Sequence, residues 1–104
     1  MLQRTDDLRI TETRPLIPPA ILLEEIPVSE RASNVVSDAR RALAHVISHK
    51  DPRFVVIAGP CSIHDPAAAL EYAGRLKELA DGYAGHLLVL MRSYFEKPRT
   101  SVGW

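Results

Sequence analysis

The sequence has a single cysteine, Cys61, so it cannot form an internal disulfide. A reducing, cytosolic setting is the simplest expectation. Excess charge is also lacking: 13 basic and 13 acidic residues give a formal net charge of zero. That removes the electrostatic case for binding nucleic acid or an anionic membrane. Long apolar runs are missing as well. The longest are about five residues, against the roughly 20 needed to span a bilayer. Met1 to Ile10 carries Arg4, Asp6, Asp7 and Arg9 and so contains no apolar signal-peptide core. No internal repeat or low-complexity tract occurs. What is present is a hydrophobic fraction of 46% in 104 residues, which fits one globular domain at most.

Two stretches carry the organisation. In FVVIAGPCSIHD, residues Phe54 to Ala58 are continuously apolar and run into a Gly-Pro-Cys turn. In LLVLMRSYFEKPRTSVGW, Leu87 to Met91 repeat that plan and lead into a charged loop. Continuous apolar strands are buried on both faces, the pattern of a parallel sheet covered by helices. Chemistry in such sheets sits on the loops beyond the carboxyl ends of the strands. Both polar loops lie there.

Residues 1–28 are rich in proline, and Pro18-Pro19 excludes a long helix. Leu16, Ile17, Ile21, Leu22, Leu23 and Ile26 make this segment apolar enough to be an arm packed on the domain's own body or on a partner subunit. Leu8 to Thr11 could form a short edge strand. Over 29–50, Ala32, Val35, Val36, Ala39, Leu43, Val46 and Ile47 form one helical stripe, with Ser29 as N-cap and Pro52 as terminator. His45 and His49 are four apart, but no acidic residue stands in a matching position, so a solvated face outweighs a metal site. Strand 54–59 follows. Asp65 caps a second helix that opens on Pro66. Its stripe is Ala69, Tyr72, Ala73, Leu76, Leu79 and Ala80, it carries a Glu71–Arg75 pair, and Gly82 stands at its C-cap. Strand 87–92 completes a βαβ unit, whose strands should be parallel.

Cys61 lies between a strand end and a helix N-terminus, where a thiolate or a metal bond is favoured. The alternative is a small buried hydrophobe. His64 could be a ligand, a base or an ordinary loop histidine. Arg92, Lys97 and Arg99 fall within eight residues beside Thr100 and Ser101, and Pro98 stiffens the loop between them. Such a cluster is either an anion site or a solvated charged loop.

GPCSIHD (Gly59 to Asp65) and MRSYFEKPRTSVGW (Met91 to Trp104) resemble 3-deoxy-D-arabino-heptulosonate 7-phosphate (DAHP) synthase, of the class whose bacterial members are feedback-inhibited by aromatic amino acids. TDDLRI (Thr5 to Ile10) is similar to that family's N-terminal segment. The resemblance implies an α/β fold, the N-terminal portion of a (β/α)8 TIM barrel, with an arm over 1–28 for regulation and dimerisation and a helix plus the first βαβ unit over 29–104. It implies condensation of phosphoenolpyruvate with erythrose 4-phosphate, the first step toward chorismate and the aromatic amino acids. In that family's pattern Cys61 is one ligand of a divalent ion (Mn, Fe, Co or Zn). Arg92 and Lys97 bind phosphoenolpyruvate, and Lys97, Pro98, Arg99 and Thr100 hold erythrose 4-phosphate. Asp6 and Asp7 lie near a bound aromatic amino acid, and the full-length enzyme is a homo-oligomer, dimer or tetramer, in the cytoplasm.

A (β/α)8 barrel takes about 200 residues or more. The family's other metal ligands, a histidine, a glutamate and an aspartate, are expected beyond Trp104. The chain by itself is therefore expected to be inactive. The alternative is a catalytically inactive N-terminal fragment that acts only by association.

Overall fold

The computed structural model describes residues 2, 3 and 5–95. In chain order the elements are α1 (Pro19–Glu25), α2 (Glu30–Ile47), β1 (Phe54–Ala58), α3 (Pro66–Gly82) and β2 (Leu87–Met91). β1 and β2 pair in parallel, in the register Phe54↔Leu87 through Ala58↔Met91. The expected strand–helix–strand unit is therefore present. Each strand stops one residue short of the expected bound, at Ala58 and Met91, so Gly59 and Arg92 stand just past the ladder.

Local chemistry explains where the helices begin. The Ser29 Oγ accepts a hydrogen bond from Ala32 N at 3.1 Å and caps α2. The Asp65 carboxylate accepts from Ala67 N at 3.0 Å and Ala68 N at 3.3 Å, with Pro66 opening α3. These caps satisfy amides that have no partner inside the helix. α2 ends at Ile47, earlier than the expected 50. His49 takes a left-handed φ of 60°. Its N–H bonds to Val46 O at 3.1 Å, while Lys50 N reaches back to His45 O at 2.8 Å. That is a Schellman ending with histidine where glycine is usual. Gly82, expected at the C-cap, is instead the last helical residue. Tyr83 closes α3 through a bond from its N–H to Ala80 O at 3.2 Å. The Glu71–Arg75 pair forms at 2.7 Å, and Lys77–Asp81 adds a second pair at 3.0 Å.

α2 packs on both strands and α3 on β2. The half-buried side of α2 is Ala39, Ala42, Leu43 and Val46; that of α3 is Ala69, Ala73, Leu76 and Ala80. Both stripes are narrower than expected, because Val35, Val36, Ile47, Tyr72 and Leu79 remain exposed. Among the described residues Ile63 alone is buried.

The arm departs from expectation in two ways. Leu8 to Thr11 form no strand; Asp7 adopts φ 55° and Ile10 N bonds to Asp7 O at 3.3 Å, which makes a turn. A strand there would need a sheet edge beside it, and none is adjacent. Among the described residues α1 makes no contact with any other element, so this helix of the arm does not pack on the helices or strands of the domain's own body. Its apolar residues stay exposed, Leu16 at 93% and Ile26 at 70%. The radius of gyration is accordingly 20.3 Å, against about 13 Å for a compact chain of this length.

Candidate active site

Beyond the carboxyl ends of β1 and β2 the two loops stay joined. Arg92 N donates to Ala58 O at 2.8 Å, and Ile63 N donates to Tyr94 O at 2.6 Å. Ile63 and Phe95 form a parallel bridge outside the strands. The sheet thus continues as a rim that carries Cys61, Ser62, His64, Arg92, Ser93 and Tyr94. Gly59 makes this possible. A Cβ built there would lie 2.4 Å from Arg92 O and 2.8 Å from Arg92 Cβ. Only a residue without a side chain lets the β2 backbone approach so closely.

Cys61 is exposed on this rim. Its carbonyl accepts a hydrogen bond from Arg92 Nη2 at 3.4 Å. The Arg92 guanidinium carbon also lies 5.3 Å from the centroid of the Tyr94 ring. The structure therefore brings two of the expected site residues, Cys61 and Arg92, onto adjoining loops. His64 is exposed beside them and lines an apolar groove of about 740 Å³ with Ile63, Leu70, Met91 and Phe95. Lys97, Pro98, Arg99 and Thr100 lie outside the described residues. Asp6 and Asp7 sit in the turn of the arm and are exposed. Among the described residues no group of three or more His, Cys, Asp or Glu side chains is assembled for a metal.

Two features escaped the sequence reading. One is Tyr94: two residues past Arg92 in an extended segment, it lies on the same side of the chain, and that spacing was the available signal. The other is a clamp at the opposite end of the sheet. Asp51 accepts from Arg53 Nη2 at 2.8 Å, from Nε at 3.1 Å and from its backbone N–H at 3.0 Å. Arg53 Nη1 reaches Ala84 O at 3.2 Å and ties the start of β1 to the loop before β2. The side-chain hydrogen bond from Arg53, reinforced by its backbone N–H, holds the Asp51 carboxyl below its ordinary range. The same pairing raises Arg53.

A parallel βαβ unit with a thiol and a guanidinium on adjoining loops past the strand ends is an α/β arrangement, and in parallel α/β sheets chemistry sits at the carboxyl ends of the strands. The chain matches the DAHP synthetase I family over residues 25–104 and belongs to that family. It is 51% identical over its whole length to the Phe-sensitive phospho-2-dehydro-3-deoxyheptonate aldolase of Escherichia coli (strain K12), of which it covers 30%. It is 47% identical to the Trp-sensitive aldolase of the same organism, over 99% of this chain and 30% of that protein. The tyrosine-inhibited aldolase of Schizosaccharomyces pombe is 45% identical over 98% of this chain, which spans 27% of it. The phospho-2-dehydro-3-deoxyheptonate aldolase of Francisella tularensis SCHU S4 superposes with a TM-score of 0.76 at 45% identity, over 91% of this chain and 28% of that one. The chain thus spans under a third of the length of the relatives it matches, which are named enzymes. Among the described residues no helix is long and apolar enough to cross a membrane.

Proposed function

We propose that this chain is the N-terminal part of a (β/α)8 DAHP synthase that condenses phosphoenolpyruvate with erythrose 4-phosphate, releasing phosphate. One observation carries the reading: the Cys61 and Arg92 loops are hydrogen-bonded together past the strand ends, at 3.4 Å between Arg92 Nη2 and the Cys61 carbonyl, in a chain of this family. The Arg92 fork suits a carboxylate or phosphate bidentately, and Lys97 adds a compact point charge near the aldehyde. Arg99 and Thr100, with Pro98 stiffening the run, hold the phosphate of the sugar. Together these cations offset the repulsion between two anionic substrates.

Cys61 fits one position in the ligand set of a divalent ion such as Mn, Fe, Co or Zn: it is an exposed thiol on the rim, and thiolate is a good ligand for borderline ions. When bound, such an ion supplies Lewis acidity at the aldehyde oxygen or activates water. The described residues do not furnish the rest of the set.

The arm, residues 1–28, serves regulation and dimerisation in a cytoplasmic homo-oligomer, a dimer or a tetramer. Relatives carry the names Phe-sensitive, tyrosine-inhibited and Trp-sensitive, which supports an aromatic amino acid as inhibitor, with Asp6 and Asp7 near it. The second reading, a fragment acting only by association, is favoured by the exposed apolar surface of the sheet, Phe54 at 78% and Ile57 at 67%.

The test is kinetic, in the synthase carrying this segment. Cys61→Ser should abolish turnover and metal content together while far-UV circular dichroism stays unchanged. Lys97→Met should lower kcat by about a hundredfold or more, the scale of one lost electrostatic or proton-transfer group. Normal turnover with normal metal content in Cys61→Ser would sink the metal assignment; parental kinetics in Lys97→Met would make the charged loop an ordinary surface.

A further inference from the structure

The Arg92 guanidinium has no carboxylate partner among the described residues; its acceptor there is the Cys61 carbonyl, at 3.4 Å. Its other contact is the Tyr94 ring, with Cζ 5.3 Å from the centroid. We propose that Tyr94 is a positioning residue for Arg92: its ring face and the Cys61 carbonyl together hold the guanidinium in place for an incoming anion. This rests on the assignment of Arg92 to phosphoenolpyruvate binding.

The chemistry favours an aromatic face in this place. A guanidinium packed on a ring keeps its in-plane N–H donors available for a bidentate anion, whereas a carboxylate neighbour would occupy the same donors and cancel the charge. The main chain that carries the ring is anchored, since the Tyr94 carbonyl accepts from Ile63 N at 2.6 Å and the next residue, Phe95, bridges to Ile63. Ile63 is the most buried residue described, so the base of the ring is tied to the firmest point of the rim. A long, mobile arginine side chain loses conformational freedom whenever it binds an anion. A residue that restrains it beforehand lowers that cost at the binding step.

The experiment compares Tyr94→Leu, Tyr94→Met and Tyr94→Phe with the parent synthase, with Arg92→Lys as reference. Tyr94→Leu and Tyr94→Met should each raise KM for phosphoenolpyruvate about fivefold, the scale of one lost cation–π contact at a partly exposed site. KM for erythrose 4-phosphate, kcat and the thermal midpoint should stay close to parental values. Tyr94→Phe keeps the ring and should restore the parental KM to within about twofold. The proposal is overturned if the two aliphatic variants bind phosphoenolpyruvate like the parent. It is equally overturned if Tyr94→Phe is as impaired as they are, or if the loss falls on kcat and thermal midpoint with both KM values unchanged. Should Arg92→Lys also leave KM for phosphoenolpyruvate unchanged, the anion-site reading falls and the role of Tyr94 falls with it. A response to Arg92→Lys alone removes only the role of Tyr94.

Discussion

Single side chains fix the two ends of the sheet by different means. At the carboxyl end a missing side chain matters most, because Gly59 lets the Arg92 backbone close against the β1 turn. At the amino end the Asp51–Arg53 pair clamps the turn and reaches Ala84 O. Because the folded-state value of Asp51 lies below its ordinary one, the clamp stabilises the fold fully above the unfolded value near 4 and loses that contribution as pH falls through the folded value. Asp51→Asn should therefore lower the urea midpoint at pH 7, and the gap from the parent should close as pH falls through the folded-state value. A gap that stays constant with pH, or none at pH 7, would show that the charge contributes nothing. The placing of Cys61 and Arg92 was legible beforehand, because a continuous apolar run followed by a polar loop marks a strand's carboxyl end. The clamp and the Arg92–Tyr94 contact were not, because they depend on how two turns fold back, and short-range spacing only permits such contacts.

Among the elements, those with both a period and a cap were readable. α2 and α3 start at Ser29 and Asp65 because each side-chain oxygen takes up amides of the first turn. Their C-terminal ends were less so, since histidine stands where a left-handed residue is needed in one, and a glycine stays helical in the other. Asp65→Ala should cost about 1 kcal/mol, the usual worth of an N-cap, in urea unfolding, and Asp65→Asn much less. Equal loss in both would point to charge instead of capping. The arm read poorly: a short mixed run at Leu8 to Thr11 has strand propensity, but propensity without a neighbouring edge gives a turn. The same arm is the place to look for control. In the synthase, Asp6→Ala combined with Asp7→Ala should relieve inhibition by an aromatic amino acid and leave uninhibited turnover nearly unchanged. Lost turnover with inhibition intact would reverse the roles.

The molecule as a whole is an open βαβ unit with an outlying arm. Two strands are few for a stable sheet, each keeps an unpaired edge among the described residues, and strands of this apolar kind are normally covered on both faces. Leu70 at 74% and Phe95 at 72% exposed lie along the groove beside α3, so the surface that further barrel strands and helices would cover is apolar. The 104 residues alone should therefore melt with little cooperativity and self-associate in sedimentation. The most direct measurement of the whole account is phosphate release from phosphoenolpyruvate, with and without erythrose 4-phosphate, by the 104-residue chain and by the same chain continued through a complete barrel. The account predicts one phosphate per phosphoenolpyruvate consumed, strictly dependent on erythrose 4-phosphate, from the continued chain only. Release that ignores the sugar phosphate, or turnover by the 104 residues alone, would contradict it.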